Sequence, residues 1–298
     1  MKIPEKLQKG DKIGLISTAR KVSRSEIAHA VNIFKSWDLN IVYGDNLFNS
    51  KNQFSGTDEQ RANDLQYFIN DKNIKAIFCA RGGYGTARII DSVDFKMLQS
   101  NPKWIIGYSD VTVLHSHLNN LGIATLHSSM PINFKNNTLS SIKSIYDCLF
   151  ETPNSIKIKS HKLNKKGKCS GQVVGGNLSI LYSLLGSASD LDTNGKILLI
   201  EDLDEYLYHI DRMLLNLKRN KKYNDLKALI VGGMTDLHDN EIPFGKSYKQ
   251  IILEYFDELS IPICFNFPSG HLNDNRAIKL GCSADLEITE KEVTFIQK

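Results

Sequence analysis

In the first half of this 298-residue chain, short apolar segments alternate with amphipathic ones. The apolar segments, at 12–17, 40–43, 76–79 and 104–106, have the length and composition of strands. The amphipathic segments, at 25–37, 57–70, 86–93 and 111–119, have apolar residues at helical spacing. Strands separated by helices predict a doubly wound parallel sheet of the flavodoxin or Rossmann type. Ligands of such sheets bind at the carboxyl ends of the strands.

The second half of the chain has a different pattern. Strands and helices are mixed there, and three short strands at 279–282, 285–289 and 292–296 predict a meander. The basic run 160–168 is typical of a solvated connection rather than of a polyanion site. We therefore predict an α/β protein with an N-terminal domain at 1–150, a linker at 151–165 and a smaller mixed α/β C-terminal domain at 166–298.

Composition narrows the function classes. Thirty-seven basic and 33 acidic residues leave a net charge of +4, which is too small to indicate nucleic-acid binding but suits an anionic small substrate. No stretch approaches the roughly 20 apolar residues of a transmembrane helix, and the first residues contain no secretory apolar run. The five cysteines include no Cys-x-x-Cys pair. We expect reduced thiols and a cytoplasmic protein that does not bind membranes.

A serine lies at the predicted turn between the fourth strand and its helix. The segment Gly107-Tyr-Ser109-Asp110-Val111 places Ser109 at the carboxyl edge of the sheet, as in a nucleophile elbow. The pattern is incomplete, because the full motif has glycine where this chain has Val111. A serine at such a turn is also a common helix N-cap, so both interpretations stand.

Three other segments carry candidate chemical groups. The loop 81–86 has three glycines directly after a strand; it is either a plain turn or a source of an oxyanion-binding N–H from Gly83. A strand ends in the acidic run 201–205, where Glu201 is placed to orient an imidazole, although metal ligation and helix N-terminal charge compete. His271 follows Pro-Ser-Gly on a loop and is either a general base or a surface residue.

Taken in order, these segments resemble a known family. The motifs are Arg-Gly-Gly-Tyr-Gly at 81–85, Gly-Tyr-Ser-Asp at 107–110, Ile-Glu-Asp at 200–202 with Ile-Asp-Arg-Met-Leu at 210–214, and Phe-Pro-Ser-Gly-His at 267–271. They resemble the LD-carboxypeptidase family of serine peptidases (family S66), which includes muropeptide LD-carboxypeptidases and microcin C self-immunity peptidases. Arg61 and the segment 175–178 also look like family signatures. The resemblance runs from about Ile13 to the C-terminus and so covers nearly the whole chain.

The resemblance implies a Ser-Glu-His triad of Ser109 as nucleophile, Glu201 as acid and His271 as base. It also implies an oxyanion hole made by the backbone N–H groups of Gly83 and Asp110, with no metal or organic cofactor. The implied substrate is a murein tetrapeptide, cut before its C-terminal D-amino acid during peptidoglycan recycling, and the implied assembly is a homodimer.

Two further residues are candidate substrate contacts. Arg81 has the fork geometry that binds a terminal carboxylate, although pairing with an acid of the protein is the competing interpretation. Tyr84 follows it in the same loop. The segment 127–130 reads His-Ser-Ser-Met where relatives tend to carry His-Gly-Pro-Met, and we expect this change to affect substrate selection rather than catalysis.

Other functions remain open at this point. The same triad would hydrolyse a peptidyl-nucleotide amide, as in the microcin-immunity branch. A non-catalytic protein that binds a small ligand between two α/β domains is a second alternative, and a carboxylate metal site at 201–205 is a third.

Overall fold

The computed structural model describes residues 1–151 and 153–297. Thr152 of the predicted linker and Lys298 of the predicted C-terminal domain lie outside this part. The strands are β1 Lys12–Ile16, β2 Asn40–Tyr43, β3 Ile74–Cys79, β4 Trp104–Gly107, β5 Thr125–His127, β6 Asn154–Lys159, β7 Gly167–Asn177, β8 Ile197–Leu203, β9 Ala228–Thr235, β10 Ile263–Cys264, β11 Ile278–Leu280, β12 Ser283–Ile288 and β13 Glu292–Gln297. The α-helices are α1 Arg24–Ser36, α2 Asp58–Asn70, α3 Lys96–Ser100, α4 Thr112–Asn120, α5 Leu139–Phe150, α6 Leu178–Leu184, α7 Leu207–Arg219 and α8 Tyr248–Phe256.

The strands form two sheets, which confirms the predicted α/β class. The first sheet has the order β11-β5-β4-β3-β1-β2, and its strands are parallel except for β11. The second has the order β10-β9-β8-β7-β12-β13-β6, with β7 to β10 parallel and the remaining pairs antiparallel. None of the helices in the described ranges has the length and apolar character needed to cross a bilayer.

Helices cover both faces of the first sheet. Successive residues of a strand point to opposite faces, so Leu15 joins the core under α1 while Ile16 joins the core under α2. This double burial explains why the strands read as continuous apolar runs rather than as alternating ones. A capping box begins α2: the Thr57 hydroxyl accepts from Gln60 N–H, and Gln60 Oε1 accepts from Thr57 N–H.

Some elements differ from the sequence prediction. The predicted helix 86–93 is two 3₁₀ turns, Thr86–Arg88 and Ile90–Ser92, because Thr86 is held by the Asp110 carboxylate and Val93 is already extended. Strand β5 and helix α5 were not predicted at all. The apolar residues of α5 follow an Asn- and Ser-rich stretch, whose composition is more typical of a loop than of the start of a helix.

The predicted C-terminal meander is wrong in one strand. β12 and β13 pair with each other in the second sheet, but β11 pairs antiparallel with β5 in the first. Gly281, at φ 86°, turns the chain between the two sheets. The second sheet also takes up β6, which lies within the predicted linker 151–165 and pairs with β13. The proposed domain boundaries stay a prediction.

Candidate active site

Ser109 occupies a strained turn at the carboxyl end of β4. Its φ is 61°, in the left-handed region that costs a non-glycine residue about 1–3 kcal/mol. A 3₁₀ turn, Ser109–Val111, leads from it into α4. Gly107 is needed here, because a Cβ at that position would lie 2.8 Å from Val111 Cγ2. The predicted strand–turn–helix arrangement of the elbow is therefore present, with glycine two residues before the serine and valine two residues after it.

The helix-cap interpretation of Ser109 does not hold. The residue before α4 is Val111, and no side chain caps this helix. The Ser109 hydroxyl makes no hydrogen bond with any residue in the described ranges. A strained serine with a free hydroxyl at the end of a buried strand is a better candidate for chemistry than for local stabilisation.

Glu201 and His271 are in direct contact. Glu201 is fully buried on β8, and its Oε2 lies 2.6 Å from His271 Nδ1. The β8–β9 pairing shifts register between Ile200 and Asp202. Glycines make room at this irregularity: a Cβ on Gly270 would lie 2.6 Å from Glu201 Oε2. Because Nδ1 faces the carboxylate, Nε2 is the nitrogen left to exchange a proton with a substrate or nucleophile.

The two groups shift each other's pKa. Burial by itself raises the pKa of the Glu201 carboxyl, but the charge and hydrogen bond of His271, together with weaker contributions from neighbouring groups, hold this pKa below its ordinary value. Burial by itself lowers the pKa of His271, but the charge and hydrogen bond of Glu201, together with weaker contributions from neighbouring carboxylates, raise this pKa above the ordinary value of 6.5. The pair therefore favours a carboxylate that holds and stabilises a protonated imidazole.

Ser109 and His271 line the same cavity, which has a volume of about 640 Å³. The ring of Tyr108, next to the serine, packs on the His271 ring with centroids 4.7 Å apart. No hydrogen bond joins the Ser109 hydroxyl to His271 in this structure. Bonds of this kind are often long before substrate binds, so the arrangement remains compatible with a nucleophile and its base.

The glycine-rich loop runs directly past the serine. Gly82 comes so close that a Cβ on it would lie 3.5 Å from Ser109 Oγ. The Asp110 side chain fixes the end of this loop, since its Oδ2 accepts from Thr86 N–H at 2.8 Å and from Thr86 Oγ1 at 2.6 Å. Gly83 has a φ of 111° and lines the cavity together with Asp110. Both predicted oxyanion residues therefore line the cavity that contains Ser109, and their binding of an oxyanion stays a prediction.

The predicted substrate contacts have different surroundings. Arg81 lines the cavity, but its Nη1 already donates to Lys21 O at 3.1 Å and lies 3.5 Å from Glu26 Oε1. Pairing with an acid, the competing interpretation, is therefore present. Tyr84 is not among the residues that line the cavity, and its ring packs near Phe54 with centroids 6.1 Å apart.

The acidic run 201–205 is held by protein groups. Asp204 accepts from His238 at 2.7 Å and Glu205 from His209 at 2.8 Å, in two separate pairs. Within residues 1–151 and 153–297, no three histidine, cysteine or acidic side chains converge as metal ligands. The second acid, Asp202, accepts from Asn177 Nδ2 and from Ser179 N–H, and burial together with Glu201 raises its pKa to about 7.

Arg20, Asn177 and Asp202 also line the cavity. In the sequence, Asn177 and Asp202 belong to a signature segment and to the acidic run, and Arg20 was given no role. Arg20 follows β1 and Asn177 ends β7, so the rule that ligands bind at carboxyl strand ends is a signal for both. Arg61, noted as a signature, is fully buried and donates to the carbonyls of Thr18 and Gly85. Through the bond to Gly85 O, Arg61 helps to hold the glycine-rich loop in place.

Two family models and several curated relatives match most of this chain. The LD-carboxypeptidase N-terminal domain model matches residues 13–128, and the LD-carboxypeptidase C-terminal domain model matches residues 170–286. A probable murein peptide carboxypeptidase of Bacillus subtilis is 34% identical, over 97% of this chain and 92% of its own. A murein tetrapeptide carboxypeptidase of Pseudomonas aeruginosa is 30% identical, over 78% of this chain and 79% of its own.

A solved structure shares the fold. The microcin C7 self-immunity protein in complex with aspartyl sulfamoyl adenosine superimposes with a TM-score of 0.90 over 100% of this chain and 99% of its own, at 21% identity. The two family models together cover most of the chain, and the resemblance inferred from the motifs is confirmed. The chain belongs to the LD-carboxypeptidase family, peptidase S66, and is a serine-type peptidase.

Proposed function

We propose that this protein is a serine carboxypeptidase that releases the C-terminal D-amino acid from murein tetrapeptides. The bond cut joins an L-centre of a diamino acid to the D-residue. The observation that carries the proposal is the contact between buried Glu201 and His271, whose side chain lines the same cavity as the strained Ser109. The names of the relatives from Bacillus subtilis and Pseudomonas aeruginosa support this substrate class.

Each residue has one task in the proposed reaction. His271 Nε2 accepts the proton of the Ser109 hydroxyl, whose oxygen attacks the carbonyl before the D-residue. Glu201 keeps the proton of His271 on Nδ1 and stabilises the imidazolium. Backbone N–H groups of Gly83 and Asp110 bind the oxyanion, and one such donor typically lowers the barrier by about 2.7–4 kcal/mol.

The second half of the reaction returns the enzyme to its resting state. His271 gives its proton to the nitrogen of the leaving D-amino acid as the tetrahedral intermediate collapses. Water then attacks the acyl-enzyme while His271 accepts its proton, and His271 passes this proton to Ser109 Oγ as the ester bond breaks and the shortened peptide leaves. The family resemblance also supports a cytoplasmic homodimer that acts in peptidoglycan recycling as part of this proposal.

Defined peptides test the function directly. Purified protein should release D-alanine from a tetrapeptide stem, measured by chromatography, and should leave the tripeptide intact. A tetrapeptide that ends in L-alanine is the matched control and should not be cut. Hydrolysis of a peptidyl-nucleotide amide with no release of D-alanine would instead favour the microcin-immunity activity, and release of neither product would contradict both.

The pH dependence of turnover follows from the Glu201–His271 pair. We expect kcat/KM to rise with pH as His271 becomes neutral, with a midpoint above 6.5 because Glu201 raises the pKa of His271.

The stability of the fold depends on pH through the same pair. Because the pKa of His271 is raised, its contribution to stability is present below pH 6.5 and is lost as pH rises through its folded pKa. Since the pKa of Glu201 is lowered, its contribution is present above about pH 4.5 and is lost as pH falls through its folded pKa.

A pH–rate profile measures this midpoint. Asp202 has a pKa of about 7 and also contributes to the raised pKa of His271. The Asp202→Asn variant separates the two groups: it should keep the rising limb and move its midpoint to lower pH. A limb that disappears in this variant would assign the titration to Asp202 and contradict the role of His271.

A further inference from the structure

One charged side chain in the active-site cavity has no partner. The other ionisable residues that line the cavity each have a hydrogen bond or an ion pair with the protein; they are Arg81, Asp110, Asp202, Asp204, Glu205 and His271. The Arg20 guanidinium forms neither with any residue of 1–151 or 153–297. An arginine presents five N–H donors in a planar fork and always carries its charge. Its unused donors are therefore available to an anion in the cavity.

The fold holds Arg20 beside the serine without using its charge. Its backbone N–H donates to Gly82 O at 3.3 Å, and its carbonyl accepts from Ser17 Oγ at 2.6 Å. The side chain then crosses Gly83, where a Cβ would lie 2.6 Å from Arg20 Cδ and 2.8 Å from Arg20 Nε. Only glycine permits this approach. The guanidinium therefore extends from the residue that we propose as an oxyanion donor.

This position suits the leaving end of a peptide. In the last residue of a chain, the carboxylate carbon is two bonds from the nitrogen of the scissile amide, so the carboxylate lies within a few ångströms of the oxyanion. A guanidinium beside Gly83 is at the right place to bind both carboxylate oxygens. Arg81, whose Nη1 is already bonded to Lys21 O, has fewer donors to offer.

We propose that Arg20 binds the terminal carboxylate of the leaving D-amino acid and thereby restricts cleavage to the last bond of the peptide. The inference rests on the proposed function, since it names the residue that makes this site a carboxypeptidase site. A peptide without a terminal charge would leave the guanidinium unpaired and lose this contact.

Matched peptides and variants test the proposal. The tetrapeptide with a free C-terminal carboxylate is compared with the same peptide ending in D-alaninamide, for wild type, Arg20→Ala and Arg20→Lys. Arg24→Ala is the control, because Arg24 is an exposed arginine four residues away that stacks on Phe48, with its Cζ 4.2 Å from the ring centroid, and does not line the cavity. The Arg24→Ala variant changes the net charge of the protein by the same amount as Arg20→Ala.

The expected results concern the ratio of kcat/KM for acid over amide. Wild type and Arg24→Ala should prefer the acid, and Arg20→Ala should lower kcat/KM for the acid by about 10- to 100-fold while leaving the amide nearly unchanged. Arg20→Lys, which keeps the charge but not the fork, should lose less. Hydrolysis of the amide at the wild-type rate shows that Arg20→Ala is folded and that its catalytic residues are intact.

The failures are distinguishable. If wild type releases no D-alanine from the acid, both the proposed function and this inference are overturned. If wild type cuts acid and amide equally, or if Arg20→Ala keeps the preference for the acid, the inference alone is overturned and the peptidase assignment stands. If only the amide rate falls in Arg20→Ala, Arg20 acts on the reaction rather than on the carboxylate, which also overturns the inference.

Discussion

Tetrapeptide turnover should fall by about 10⁴- to 10⁶-fold when Ser109 is replaced by alanine, since the nucleophile of a catalytic triad has no substitute. The fold should be unaffected, because the Ser109 hydroxyl bonds to no other described residue and alanine meets the same strain at φ 61°. The measurement is single-turnover release of D-alanine together with thermal unfolding. Ser183→Ala is the control: it removes an exposed hydroxyl that donates to Ile180 O within its own helix, and should leave turnover unchanged.

The strain at this position supplies an independent readout. Ser109→Gly should be as inactive as Ser109→Ala but more stable, by about 1–3 kcal/mol in the free energy of unfolding, because glycine adopts this φ without strain. A fluorophosphonate should label wild type at Ser109 and neither variant. Turnover retained in Ser109→Ala, or labelling at a different serine, would remove Ser109 from the mechanism.

Replacement of Glu201 by glutamine should lower kcat by about 10⁴-fold while the protein stays folded. Glutamine has nearly the same shape, but its amide N–H would face His271 Nδ1 and favour the tautomer that carries the proton on Nε2. That nitrogen could then no longer accept the proton of Ser109. The loss of the carboxylate also removes the main group that raises the pKa of His271, so the midpoint of any residual pH–rate profile should move to lower pH.

A surface glutamate provides the control for Glu201→Gln. Glu292 pairs with Lys157 at 2.8 Å on the edge of the second sheet, and its amide variant should keep wild-type kcat. The role of Glu201 would be contradicted if Glu201→Gln kept more than about a tenth of wild-type kcat with an unchanged midpoint. A fall in kcat accompanied by unfolding would show that Glu201 is needed for stability, and Glu201→Asp, tested at lower temperature, then separates the two roles by restoring a carboxylate.

Much of the local structure can be predicted from short stretches of sequence. Strand β2 has its predicted bounds, and the helix predicted over 57–70 is α2 with its cap at Thr57, because both depend on neighbouring residues. The elbow at Ser109 was also visible, since a strand that breaks at a glycine before a helix is a local pattern. The family could be recognised from four ordered motifs for the same reason.

Contacts between distant segments could not be predicted from local sequence patterns. Strand β11 has the pattern of its neighbours β12 and β13, yet it pairs with β5 in the other sheet. Every strand offers the same backbone N–H and C=O groups, so its own residues do not indicate which strand it pairs with. The two members of the Glu201–His271 contact are 70 residues apart, and the contact depends on the irregularity in β8 and on the room left by Gly270.

By itself, the sequence determined the α/β class, the turn that carries Ser109 and the family to which the chain belongs. Tertiary structure decided which sheet each late strand joins, that the imidazole and carboxylate meet at 2.6 Å, and that Arg20 rather than Arg81 has an unpaired charge in the cavity. The physical reason is the range of the interactions. Helix periodicity, caps and turns act over a few residues, whereas strand pairing, burial and the neutralisation of charge depend on which distant segments the folded chain brings together.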